Sequence, residues 1–136
     1  MPVTDRNTSH LAGEYLVAGE LSRRGYPVSI TMGNAKSVDI FVKTSIGISE
    51  VDAKALRGKP DWPITKNNIK KDQFYIFVLL RTRNEIIENK SPRYFIAKGA
   101  ELLPMVETWG TTMQGIRYAS LNNETFENRW DKIPPP

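Results

Sequence analysis

Seven consecutive residues, Phe74 to Leu80, are apolar without interruption. Successive side chains of a strand point to opposite faces, so a strand can be apolar throughout only where both faces are covered. The run is far short of the roughly 20 residues that a membrane-spanning helix needs. It therefore predicts the central strand of a sheet with further layers packed on each side. The surrounding segments supply those layers. Thr8 or Ser9 is placed to cap a helix running to about Arg24, where Gly25 stops it. Pro27 to Met32, Val38 to Lys43 and Ile48 to Ala55 read as strands. Their connections, opening at Gly33-Asn34 and at Ser45-Ile46-Gly47, are short enough for antiparallel pairing. A loop from Arg57 to Ile64 follows, then a weakly helical stretch from Thr65 to Lys71. Beyond the apolar run, Arg93 to Ala97 reads as a strand and Ala100 to Trp109 as a helix. The order αβββαβ, with a further strand and helix, predicts an α/β fold whose mixed central sheet is flanked by helices. The expectation is a single domain over residues 1–136, with a core at about 9–109 and an irregular C-terminal segment at 110–136 that ends in three prolines.

Composition narrows the chemistry. With 136 residues, 40% of them hydrophobic and 25% charged, the chain is one domain's worth of ordinary globular sequence. Cysteine is absent, which excludes disulfides and thiolate metal sites. A single histidine, His10, excludes a multi-histidine zinc site, so any metal is expected to be held by oxygen. The first ten residues lack the apolar stretch of a secretory signal, and a soluble cytoplasmic protein without membrane contact is expected. Net charge is +4, but it is unevenly distributed. Lys54, Arg57, Lys59, Lys66, Lys70 and Lys71 face only Asp61 between residues 54 and 71, a larger surplus than that of the whole chain. This segment reads either as a phosphate-contacting surface or as an ordinary solvated one.

Polar residues fall where apolar ones are expected. At ~100° per residue, with Leu11 as zero, Leu21, Glu14, Ala18 and Tyr15 share one stripe of the first helix, while Glu20 and Gly13 lie on the polar side. Glu14 thus points toward a core, where a carboxylate needs a cation or a hydrogen-bond donor. It either escapes to solvent, pairs with an arginine or belongs to a site. In the second strand Asp39, Phe41 and Lys43 share a face, and in the third Glu50, Asp52 and Lys54 do. Half of an exposed antiparallel strand is polar in any case. If the two strands form a hairpin, however, Asp39 and Asp52 converge with Lys54 beside them, and Glu14 completes a group able to hold a divalent cation. Mg²⁺ or Mn²⁺ suits such an oxygen donor set, and the Ala53 carbonyl is free to join it where the strand bends. A lysine nearby can orient an attacking water or stabilise developing charge.

These pieces resemble the PD-(D/E)XK nuclease superfamily, whose fold is shared by restriction enzymes and Holliday-junction resolvases. The resemblance rests on Gly13-Glu14 in the helix, Val38-Asp39-Ile40, Asp52-Ala53-Lys54 and the strand Phe74 to Leu80. The stretches HLAGEYLVAGELSRRGYPVSI, GNAKSVDIFV, VDAKAL, DQFYIFVLL and PRYFIAKGAELL are similar to small uncharacterised bacterial members of that superfamily. Two departures stand out: Val38 occupies the place of the name-giving proline, and Asp52 is an aspartate where glutamate or glutamine is usual. The resemblance implies a restriction-endonuclease-like core in which Asp39, Asp52 and the Ala53 carbonyl bind the metal. Glu14 would support that shell and Lys54 would serve the water.

Taken together, these readings lead to the expectation of a metal-dependent DNA endonuclease, with RNA as a further substrate class. Lys36, Arg57, Lys59, Lys66, Lys70 and Lys71 would hold the phosphate backbone. Cutting both strands of a duplex would favour a homodimer. The alternative is a catalytically inactive domain of the same fold that binds nucleic acid or a protein partner. Asn34, Lys36 and Ser37 either touch a phosphate or merely form a turn. Trp62 either stacks on a base or plugs the core edge, Trp109 and Trp130 read as packing residues, and His10 reads as a structural or surface histidine.

Overall fold

The computed structural model describes residues 4–31, 38–58 and 61–136. Helix α1 (Thr4–Arg23) opens the chain. It starts about one turn before the expected caps Thr8 and Ser9, because nothing in residues 4–7 breaks a helix. Its end follows the sequence: Gly25 adopts φ +97°, the Gly25 amide donates to the Ser22 carbonyl and the Tyr26 amide to the Leu21 carbonyl. That paired bonding is the glycine-terminated Schellman arrangement. Strands β1 (Val28–Ile30), β2 (Ile40–Thr44) and β3 (Gly47–Leu56) follow, with Ser45-Ile46 as the two-residue turn between the last two. The expected connection at Gly33-Asn34 lies outside the described residues.

The chain then forms a two-residue strand β4 (Trp62–Pro63) and a single 3₁₀ turn at Lys66–Asn68, where the sequence predicts a longer helical stretch. Ile69 leaves that turn in extended geometry and buries its side chain, which ends it. Strand β5 (Phe74–Leu79), a capped helix α2 (Arg83–Ile87), strand β6 (Arg93–Lys98) and helix α3 (Gly99–Leu102) come next. The helix expected to reach Trp109 stops at Leu102. Pro104 has no amide to continue the helical hydrogen-bond ladder, so the chain makes a 3₁₀ turn at Leu103–Met105. Trp109 instead closes strand β7 (Glu107–Trp109), which pairs with β8 (Met113–Ile116) ahead of helix α4 (Tyr118–Leu121). The segment expected to be irregular thus carries a strand and a helix.

The architecture is mixed α/β. The main sheet has the order β1-β2-β3-β5-β6, antiparallel except for the parallel β3/β5 pair, and a small second sheet has the order β4-β8-β7. All six residues of β5 are buried, as the uninterrupted apolar run requires. Phe74, Ile76 and Val78 join Val17, Leu21, Ile40 and Val51 beneath α1. Tyr75, Phe77 and Leu79 join Trp62, Phe95, Ile116 and Leu121 beneath the small sheet. Cover on the second face extends over β5 and β6 but not over β2, where Phe41 and Lys43 are exposed. No helix among the described residues is long and apolar enough to cross a membrane.

Candidate active site

The site forms where that second-face cover stops. Asp39 sits immediately before β2 and is held by the end of β1. The Thr31 amide donates to the Asp39 carbonyl at 2.9 Å, and the Thr31 hydroxyl donates to the Val38 and Asp39 carbonyls at 2.5 and 3.1 Å. Strand β2 begins at Ile40, opposite Val51, so the Ala53 amide has no strand partner on that side. Asp39 Oδ2 accepts from it at 2.9 Å and takes the place of a strand carbonyl. This contact brings Asp39 beside Asp52, as the hairpin reading anticipates, and leaves Asp39 only 4% exposed.

Helix α1 supplies the other carboxylate. Its approach to the sheet is set by Gly13, where a Cβ would fall 2.4 Å from the Ala55 Cβ. Gly13 is therefore buried, not on the polar side, whereas Leu11 and Tyr15 are exposed. The buried stripe is Gly13, Glu14, Val17, Ala18 and Leu21, rotated by roughly 70° from the expected one. Glu14 belongs to both and is 2% exposed. Among the described residues it meets His10, whose Nε2 lies 2.5 Å from Glu14 Oε2. Ligand atoms of His10, Glu14 and Asp39 all lie within 4.8 Å of one another.

Asp52 joins this group through Asp39, with which it shares a hydrogen bond, and Lys54 Nζ lies 2.8 Å from Asp52 Oδ2. Burial, followed by the hydrogen bond with Asp39, pushes the Asp52 carboxyl up to about 7, although Lys54 pulls the other way. Two carboxylates in contact resist simultaneous ionisation, so one of them holds a proton near neutrality. Burial likewise pushes the neighbouring Tyr75 phenol up, and its oxygen accepts from the Lys70 amide at 2.9 Å. Among the described residues, three carboxylates, an imidazole and a lysine gather here as an oxygen-rich donor set. Such a set fits a hard divalent cation, and the single imidazole is also compatible with Mn²⁺.

The group opens into a cleft of about 790 Å³. One wall carries His10, Asp39, Asp52, Lys54 and Tyr75, and the other carries Thr65, Asn67, Asn68, Met113 and Gln114. The second wall is tied together by Gln114 Oε1, which accepts from the Lys66 amide at 2.8 Å. It is anchored below by Trp62, packed edge-on to Phe77 and Phe95. Trp62 thus plugs the core and offers no face to a base. Trp130 is buried as expected, and Trp109 packs under the Arg117 guanidinium.

Of the basic residues expected to contact phosphate, Lys70 lines the cleft, Lys66 is exposed on the turn beside it and Lys71 lines an adjoining groove. Arg57 is exposed past the end of β3. Lys36 and Lys59, with Asn34 and Ser37, lie outside the described residues. Ala53 reaches the site through its amide, which donates to Asp39. Sequence reasoning missed His10 as a site member, although its i,i+4 spacing from an inward-facing glutamate was a legible signal. It also missed Gln114, which no local pattern links to Asp39. Comparison with protein-family models, with curated proteins and with solved structures finds no match for this chain.

Proposed function

We propose that this chain is a metal-dependent nuclease that hydrolyses phosphodiester bonds, built on a PD-(D/E)XK-like core with DNA as its substrate. The observation that carries this reading is the position of Asp39. It contacts the β3 backbone at Ala53, lies within ligand distance of Glu14 and His10, and shares a hydrogen bond with Asp52 next to Lys54, all at the floor of an open cleft. Glu14, Asp39 and Asp52 would hold Mg²⁺ or Mn²⁺, with His10 beside them. When bound, the cation would acidify a water and offset charge on a phosphate. The chain's own groups then have defined tasks. Asp52 holds the Lys54 ammonium at the cleft surface, where it can donate to the attacking oxygen or to a phosphoryl oxygen. Lys70 adds a positive charge at the rim, and the burial of Glu14 and Asp39 limits water to the open side.

The test is divalent-dependent cleavage of labelled duplex, single-stranded and four-way-junction DNA by the wild type, Asp52→Asn and Lys54→Ala, purified identically. Cleavage by the wild type alone supports the reading. Equal cleavage by all three, or none by any, defeats it. A second reading, a binding domain of the same fold without catalysis, is favoured by one feature: Lys54 is already committed to Asp52 at 2.8 Å. It requires nucleic-acid binding that survives Asp52→Asn without cleavage by any form.

A further inference from the structure

A second groove, of about 550 Å³, adjoins the cleft and shares Lys70 and Gln73 with it. It passes around the N-terminal end of β5. Strand β3 begins at Gly47, four residues before its first pairing with β5 at Val51–Phe74, so the tip of the β2–β3 hairpin overhangs on one side. On the other side β6 ends at Lys98, opposite Phe74. The two sides differ in chemistry. The hairpin presents Ile46 and Ile48, 80% and 64% exposed, whereas the β5–β6 side presents Lys71 and Lys98.

The lysine side is firmly built. The Gly99 amide donates to the Gln73 carbonyl at 2.8 Å and the Ala100 amide to the Lys71 carbonyl at 3.1 Å. Gly99 permits this closeness, since a Cβ there would lie 1.9 Å from the Lys70 carbonyl oxygen. Among the described residues, no carboxylate pairs with Lys71 or Lys98. Lys132, by contrast, is held by Glu101 at 3.0 and 3.1 Å, and Lys70 lies 3.9 Å from Glu50. Glu50 and Asp72 also line the groove.

We propose that this groove carries a single strand of nucleic acid away from the cleft, with phosphates on Lys71 and Lys98 and bases toward Ile46 and Ile48. A single strand is two-sided in the same way as the groove, charged along its backbone and apolar on its exposed base faces. A duplex keeps its bases stacked inside and would offer the isoleucines nothing to cover. The inference rests on the nuclease reading, and its test is arranged so that the two can fail separately.

Binding is measured in EDTA, with the intact chain and labelled oligothymidine, oligouridine and a duplex of the same length, across a salt series. Each lysine on a single-strand phosphate contributes about 0.7 to the slope of log affinity against log salt. Lys71→Ala/Lys98→Ala is therefore expected to make that slope shallower by about 1.4 on the single-stranded probes. Lys90→Ala, at the opposite end of the sheet, serves as the folded control and leaves the slope unchanged. Ile46→Ser/Ile48→Ser is expected to weaken single-strand binding severalfold at an unchanged slope. The two single-stranded probes separate DNA from RNA. An unaltered slope in the lysine variant, with wild-type binding intact, overturns the groove assignment and leaves the nuclease reading standing. A larger loss on duplex than on single strands also overturns it. Absence of binding by the wild type to any probe, together with absence of cleavage, overturns both.

Discussion

Replacing Asp52 by asparagine should stabilise the metal-free protein while abolishing its response to divalent cations. The Asp52 side chain is 15% exposed, next to Asp39, and its carboxyl is pushed from 3.8 up to about 7. At about 1.4 kcal/mol per unit, ionising it in the folded state costs about 4 kcal/mol relative to the unfolded chain. That value already contains the attraction of Lys54, and it is a ceiling because Asp39 and Asp52 titrate as a pair and share the shift. Asparagine retains a donor for Asp39, as the protonated aspartate does, so the expected gain at pH 8 is about 1–3 kcal/mol. The sign follows from proton counting. Between about pH 4 and 7 the folded wild type holds a proton that the unfolded chain has released, so stability falls as pH rises through that window. Glu20, Glu127 and Asp131 act in the opposite sense. Their carboxyls are held below the usual range by Arg23, Arg93 and Arg129 respectively, and their contribution is lost at more acidic pH. Subtracting the two proteins cancels those groups. Urea unfolding in EDTA at several pH values should therefore show Asp52→Asn gaining on the wild type from pH 4 to pH 7 and levelling above. Saturating Mg²⁺ or Mn²⁺ should reverse the order, since a cation at about 1,000 times its Kd adds about 4.1 kcal/mol to the form that binds it. An asparagine variant less stable than wild type at pH 8 without metal, or a difference independent of pH, would refute the reasoning.

Three further outcomes follow from the packing. Gly13→Ala places a methyl against Ala55 and should cost about 1–3 kcal/mol in urea unfolding. It should also weaken divalent binding, since His10 and Glu14 ride on the displaced helix. Trp62→Ala should cost about 3–5 kcal/mol, because the indole fills the core beneath the small sheet. Trp62→Phe should cost far less, as it removes a buried indole N–H that has no hydrogen-bond partner; equal losses from the two would refute this. Arg93 binds Glu127 through two bonds of 2.8 Å and also reaches Tyr118 and Asn122. A double-mutant cycle of Arg93→Met and Glu127→Gln should give a coupling of about 1–2 kcal/mol, and a coupling near zero would show the pair to be merely solvated.

Local pattern determined a good deal. A seven-residue apolar run rich in aromatic and β-branched residues suits a doubly covered strand, and β5 is one because its alternate residues feed two different cores. Gly25 had to stop α1, since the Schellman closure needs positive φ there. Alternation along β2 and β3 brought Asp39, Asp52 and Lys54 to one edge, and helical periodicity turned Glu14 inward. What periodicity could not decide was the rotation of α1. Hydrophobicity alone favours Leu11 and Tyr15 for the core, yet the close fit of Gly13 on Ala55 outweighs them and leaves both exposed. That rotation also carries the His10–Glu14 pair to Asp39. The second cleft wall belongs wholly to tertiary structure. Strand β4 pairs Trp62 with Ile116, more than fifty residues onward, so no window of local sequence contains both partners. The cleft, and the groove that leaves it around the end of β5, exist only once those distant strands meet.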